Sequence, residues 1–287
     1  MNLGSFDYRP LLLVGTVCLV ATAACSGDDA IENAGAQASP TAQSPQADTL
    51  LREMSSRLAH AREFTFDGHR VMDTALLGGR NVPEDAQVKV SVKRPNKVRG
   101  VSRTKETTRD FYFDGQTVTV YDRTKKMYAT AKMPGTIDQM VERLDREFGF
   151  PPPLGEFVVA DMYRTVLREL RSRSLGPMKT INGTSCRTVN WSGELADGEV
   201  WVDTQNDVPC GFVAGFRKIK GKPEVRVGFS NWNLDASLPD TMFTFRPPAG
   251  ARQIRMETRA EIVRDVRAEQ MTAQRQPAQR QPAQRKR

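Results

Sequence analysis

The sequence predicts a mainly β protein: a curved antiparallel sheet whose open side is covered by helices. Three observations predict it. Residues 63–131 and 184–247 read as runs of alternating strand separated by turn chemistry, and the stretch between them, 136–176, reads as helical. Both ends of the 287-residue chain are poor in core-forming residues, which leaves about 200 for a single domain. At 39% hydrophobic and 26% charged residues, that middle part can bury a core.

The chain opens with "MNLGSFDYRP", which carries one arginine, and then an apolar run, "LLLVGTVCLVATAA", over residues 11–24. This run is too short for a comfortable transmembrane span and suits an export signal. Small residues precede Cys25, and "SGDD" follows it. The pattern resembles the lipobox of bacterial lipoproteins, with Thr22 where that motif usually has a branched apolar residue. The resemblance implies a signal peptide over 1–24, diacylation of Cys25 and a membrane-anchored lipoprotein facing the periplasm. Ser26 in the next position fits the outer membrane. Ordinary signal-peptidase cleavage near Ala23 or Ala24 is the alternative. Residues 25–48, rich in Ala, Gln, Ser and Pro, read as the lipidated end and a flexible tether.

The domain is expected over 49–250. Leu50, Leu51, Met54 and Leu58 form one helical stripe, with Asp48 placed to cap it. Phe64 and Phe66 share a face of the first strand, and Val88, Val90 and Val92 alternate with polar residues in the second. Asp114-Gly115 marks a hairpin, and a further strand runs through Ala131. "TIDQMVERLDREFGF" places Ile137, Met140, Val141, Leu144 and Phe148 at helical spacing. "PPPLG" breaks that helix. A second helix is expected to resume through Phe157, Val158, Met162, Val166, Leu167 and Leu170. A meander follows: "TSCRTVNW", "GEVWVDT", "CGFVAGFRKI", "EVRVGFSNWNL" and "MFTFRP".

Residues 251–287 hold ten Lys and Arg against four acidic residues, +6 of the chain's +8. They end in a "QPAQR" repeat and are expected to form a basic, largely disordered tail. Such a tail suits a solvated end or contact with anionic lipid headgroups. In an exported protein it does not argue for nucleic acid.

The chemistry-bearing residues are sparse. His60 and His69 are the histidines, and the four cysteines have no zinc-type spacing, so neither metal nor cofactor is expected. No nucleophile elbow or phosphate-binding glycine loop is present, and an enzyme is not expected. With Cys18 lost and Cys25 acylated, Cys186 and Cys210 remain as a candidate disulfide. A meander would separate them by two strand spacings, ~10 Å, beyond the ~7 Å reach of a bridge. Strong twist near strand ends would close that gap, so the sequence leaves the pairing open.

The stretches "FYFDGQTVTVYDRTKKMYAT", "INGTSCRTVNW", "GEVWVDTQNDVPCGF" and "FSNWNLDASLPDTMFTFRPPAGA" resemble the periplasmic domain-of-unknown-function family 2092, over about residues 50–254. That family is similar in fold to the LolA, LolB and LppX type of lipoprotein and lipid carriers. The resemblance implies a half-open antiparallel β-barrel, LolA-like, with a helical lid over an apolar interior. The lid residues Ile137, Met140, Val141, Leu144, Phe148, Phe157, Val158, Met162, Val166 and Leu170 then become candidates to line a cavity. The expected function is non-enzymatic binding or transfer of a lipid or acyl chain. An RseB-like envelope sensor, binding another envelope protein without a transported ligand, is the alternative.

Overall fold

The computed structural model describes residues 44–76, 83–150, 152–165, 167, 170–261 and 264. The signal, Cys25, most of the tether, Val166 and most of the basic tail lie outside the described residues.

Helix α1 (Pro45–His60) begins four residues before the expected start. Ser44 caps it, its Oγ accepting the Ala47 N–H at 3.3 Å, and Pro45 sits in the first turn, where its missing N–H costs nothing. Asp48 is therefore not the cap. The helix turns Ala47, Leu51, Met54 and Leu58 into the core.

Strands β1 (Glu63–Met72), β2 (Glu84–Lys93), β3 (Lys97–Arg103), β4 (Thr108–Phe113), β5 (Thr117–Asp122) and β6 (Met127–Lys132) form an antiparallel meander. The sequence reading missed β3, because Gly100 stands where its inward alternation needs an apolar side chain. At the expected hairpin, Gly115 takes φ 90°, and Asp114 Oδ1 accepts the Gln116 and Thr117 N–H groups at 2.9 and 2.8 Å. A second meander comprises β7 (Ser172–Ile181), β8 (Thr184–Ser192), β9 (Ala196–Asp203), β10 (Val208–Phe216) and β11 (Glu224–Asn233).

The two meanders join where β1 pairs antiparallel with β11, Gly68 facing Phe229 and Val71 facing Arg226. The described residues thus form one unclosed twelve-stranded sheet, ordered β12-β6-β5-β4-β3-β2-β1-β11-β10-β9-β8-β7. Strand β12 (Arg252–Ile254) pairs in parallel with Met127, Tyr128 and Ala129, so the sheet runs past the expected boundary at residue 250. "MFTFRP" is not a strand. The chain there makes the 3-10 turn Asp240–Phe243, held by Lys93 and Lys97 on Asp240, and Phe245 packs among Tyr112, Tyr121 and Tyr128 at 5.0–5.5 Å.

Cys186 and Cys210 form a disulfide, with their Cα atoms 6.6 Å apart. Strand β9 does lie between β8 and β10, as a meander requires. The bridge closes because Cys186 faces Asp203, the last residue of β9, while the register of β10 slips between Pro209 and Gly211. Cys210 is the extra residue of that bulge. With the cysteines separated by 24 positions in sequence, loop closure in the unfolded chain is worth about 3 kcal/mol.

Asp48 sits at a junction of elements. It accepts Tyr163 Oη–H at 2.6 Å and Arg52 Nε–H at 2.7 Å, and it pairs with the buried Arg173 of β7. Burial alone would raise its pKa; the Tyr163 and Arg52 hydrogen bonds and the Arg173 charge outweigh it and hold it below the usual value. A lowered carboxylate pKa stabilises the fold above the unfolded-state value of about 3.9 and loses that contribution as pH falls through the folded value. Asp48→Asn is expected to lower the urea midpoint at pH 7, by an amount that shrinks as the pH falls below about 3.9. An Asp48→Asn deficit that stayed constant with pH would mean that its charge is not what matters.

Candidate functional site

The connection from β6 to β7 has to cross the sheet, because those strands lie at opposite ends of the β1–β11 arrangement. Residues 133–171 make this crossing over the apolar face, and with α1 they cover it. Helix α2 (Ile137–Arg143) starts at a capping box formed by Thr136 and Gln139. A π-turn, Leu144–Phe148, continues it and ends at Gly149, φ 72°. The second helix differs from the expectation of one long element. The described residues hold a 3-10 turn, Gly155–Phe157, and the four-residue α3 (Met162–Thr165), which Asp161 caps through the Arg164 N–H at 2.9 Å. By Arg171 the chain already bonds Ser192 of β8, so sheet pairing takes what helical spacing had assigned to the helix.

Of the candidate lid residues, Ile137, Met140, Leu144, Phe148, Phe157, Val158 and Met162 are buried in one core with α1 and the sheet. Val141 and Leu170 are partly buried against it. The interior is filled by these side chains. Phe157 sits edge-on to Phe229 at 4.5 Å and stacked on Phe212 at 5.5 Å, so it packs across the face of β10 and β11. The sheet side of the contact is Phe64, Phe66, Val88, Val90, Val227 and their neighbours.

Two strand glycines make room for the "PPPLG" break. A Cβ on Gly68 would lie 2.6 Å from Leu154 Cδ1, and one on Gly100 would lie 3.3 Å from Pro153 Cγ. Leu154 takes φ 54° to reach this position, a backbone state that β-carbon-bearing residues rarely adopt. The signal for this plug was present in the sequence, since a glycine on the inward side of a strand often marks a close approach.

Polar groups then latch the cover. Arg94, at the end of β2, donates from Nη1 to Val158 O at 2.9 Å and from Nη2 to Val159 O and Leu58 O at 3.1 and 3.2 Å. One guanidinium therefore joins the C-terminal end of α1, the sheet and the crossing segment. Its Nε is buried without a partner. Burial pulls its pKa down, and Asp138 only partly opposes this. Asp138 itself accepts the Ala160 N–H at 2.8 Å, and Ser55 Oγ accepts the Tyr163 N–H at 2.9 Å. Burial also holds the Glu156 and Asp145 carboxyls of the cover above their usual range. Sequence reasoning missed Arg94 and Tyr163, because neither stands in a recognisable motif.

The remaining candidates take structural places. His69 Nε2 meets Asp85 Oδ1 at 2.8 Å on the surface, and His60 Nδ1 meets Ser56 O at 2.7 Å on α1. Asp110 is buried between Arg99 and Arg123. Among the described residues, no group of three or more His, Cys, Asp and Glu side chains could hold a metal ion. No described helix is long and apolar enough to cross a membrane.

Residues 47–257 match the model of a family described as "Predicted periplasmic protein (DUF2092)". No curated protein matches the chain. Among solved structures, MucB is similar at 12% identity and TM-score 0.42, over 71% of this chain. This chain spans 64% of MucB, less than two thirds of its length. LprF from Mycobacterium bovis is similar at 13% identity and TM-score 0.41, over 69% of this chain and 97% of LprF. The Mycobacterium tuberculosis lipoprotein LppX is similar at 11% and 0.42, over 68% and 99%.

The plug predicts a coupled pair of substitutions. Gly68→Ala should cost about 1–3 kcal/mol by pushing Leu154 out of its seat. In a Leu154→Ala background the same change should cost much less, read by urea denaturation as a double-mutant cycle. Additive losses would mean that Leu154 does not occupy the space over Gly68.

Proposed function

We propose that this chain, which belongs to the DUF2092 family of predicted periplasmic proteins, is a non-enzymatic envelope protein that binds an acyl chain or lipidated molecule beneath its cover. The observation that carries the reading is the cover itself. A single segment spans the apolar face, fills it with side chains such as Met140, Leu144, Leu154 and Met162, and is joined to β2 and α1 through the Arg94 guanidinium. Moving that segment uncovers an apolar surface on an unclosed sheet. An acyl chain entering there replaces the displaced side chains, each methylene contributing ~0.8 kcal/mol without any directional contact. Methionines on both sides of the opening adapt to chains of different shape. Selectivity by length would be loose.

Anchoring at Cys25 would hold the domain at a membrane, facing the periplasm, with the outer membrane as the expected side. The tether between Cys25 and α1 would then set its reach.

A second reading has its own support. The interior is filled, and the edge strand β7 exposes Leu175 and Met178. An envelope sensor or interaction module that recognises a partner protein, carrying no lipid, would use such an edge and leave the core closed.

Arg94→Met keeps the aliphatic stem and removes the three carbonyl contacts. Hydrogen exchange of 152–165 is expected to quicken at least about tenfold, and uptake of a fluorescent fatty acid should quicken with it. Faster exchange with no uptake by either protein would favour the interaction module. For the anchor, metabolic labelling with an alkyne fatty acid should mark the wild-type chain and miss Cys25→Ser. Equal labelling of both would place the lipid elsewhere.

A further inference from the structure

A second concavity lies at the end of the sheet where the β7–β8 turn, the β9–β10 turn and the end of β11 meet, with Arg57 of α1 beside them. Its volume is about 610 Å³. We propose that this groove binds a neutral saccharide chain, a ligand distinct from the acyl chain proposed for the interior.

The polar groups around the groove differ in how far their hydrogen-bonding capacity is already used. Asp203 is tied into the β9–β10 turn: its Oδ1 accepts the Gln205 and Asn206 N–H groups at 2.8 and 3.3 Å, and its Oδ2 accepts Asn206 Nδ2–H at 2.7 Å. It is therefore a fixed part of the wall. Around it stand exposed side chains whose hydrogen-bonding capacity is only partly spent. Asn182 makes no side-chain hydrogen bond; Asn233 uses only its Oδ1, on the Asp235 N–H at 3.1 Å; and Asn206 keeps its Oδ1. Asn182 stands at φ 50° in the β7–β8 turn and lines the groove. An amide offers a donor and an acceptor side by side, the pair that adjacent sugar hydroxyls or an N-acetyl group require.

Trp232 supplies ring surface among these polar groups. It is half-buried, stacks on Phe66 at 4.4 Å, and has already donated its indole N–H to Pro209 O at 2.9 Å. What it offers a ligand is ring surface, suited to the C–H face of a pyranose. The bulged disulfide fixes the β9–β10 side of the groove through Cys210.

Other ligand classes fit less well. Among the described residues, Arg57 is the one cationic side chain lining the groove, against the carboxylates of Asp203 and Asp235, so they offer an anion no cluster of cations there. An acyl chain would strip water from the amides and leave them unpaired, at a cost of about 1–3 kcal/mol for each group fully buried.

The test is saturation-transfer NMR on the full-length protein with two neutral probes, chitotetraose and maltotetraose, followed by calorimetric titration of whichever responds. Asn182→Gly with Asn206→Ala is the variant; glycine keeps the left-handed backbone at 182, and the urea midpoint is measured beside the wild type because Asn206 also bonds Asp203. Binding of either probe, weakened about tenfold or more by the pair, is the expected result. Trp232→Phe, which keeps ring surface and the stack on Phe66, should retain most of the affinity. Absence of transfer to both probes at millimolar concentration overturns the proposal, as does binding that the Asn182 and Asn206 variant leaves unchanged. A response to inorganic phosphate alone, abolished by Arg57→Ala, would also overturn it and assign an anion site.

Discussion

The pairing of β1 with β11 is the constraint from which the rest of the molecule follows. Each half of the chain is a local antiparallel meander. Joining them through their β1 and β11 strands sends β6 and β7 to opposite ends of the arrangement. The link between them then has to traverse the whole apolar face. A cover is thus a topological consequence of that one antiparallel ladder, and the sequence of residues 133–171 is shaped by having to be both a connection and a lining.

The lining is closed but held unevenly. Its apolar contacts are distributed over α2, the π-turn, the Leu154 plug and α3, while its polar contacts to the flanking elements include Arg94, Ser55 and the Asp48–Tyr163–Arg173 group. Arg94 is unusual among these in pairing, among its hydrogen bonds, with backbone carbonyls alone; its Nε, like that of Arg173, has no hydrogen-bond partner. Such a contact places a buried charge where burial disfavours it, and exchanging it for water when the cover moves returns the solvation of the cation. The cost of opening is accordingly set by exposed apolar area more than by the latch, which is why a guest that re-covers that area can shift the balance.

Much of this was legible in the residues. Strict alternation in β2 and the Asp114-Gly115 turn set the first meander, and the 3.6-residue spacing of Ile137, Met140, Leu144 and Phe148 set the first part of the cover. Spacing misled at residues 156–173, where Met162, Leu167 and Leu170 satisfy a helical template although Asp161 starts a new turn and β8 recruits Arg171 into a strand. Strand β7 was hidden because it is an edge with a register break between Leu175 and Met178, and so shows no clean alternation. The disulfide depended on a one-residue bulge at Cys210, which strand spacing cannot reveal. Arg94 left no mark in the sequence, since carbonyl partners carry no residue identity. Gly68 and Gly100 carry a mark, but Gly100 can be placed on the inward side only once β3 is known, and the sequence reading missed that strand.

The central claim is that the covered face receives an acyl chain. It is tested most directly by native mass spectrometry of the protein purified from a bacterial envelope, with lipid extraction of any adduct. The account predicts acyl species bound non-covalently, lost on delipidation and restored by added fatty acid. A bare polypeptide mass, apart from any covalent lipid at Cys25, with no uptake of added fatty acid, would contradict it and leave a closed core whose partner is another protein.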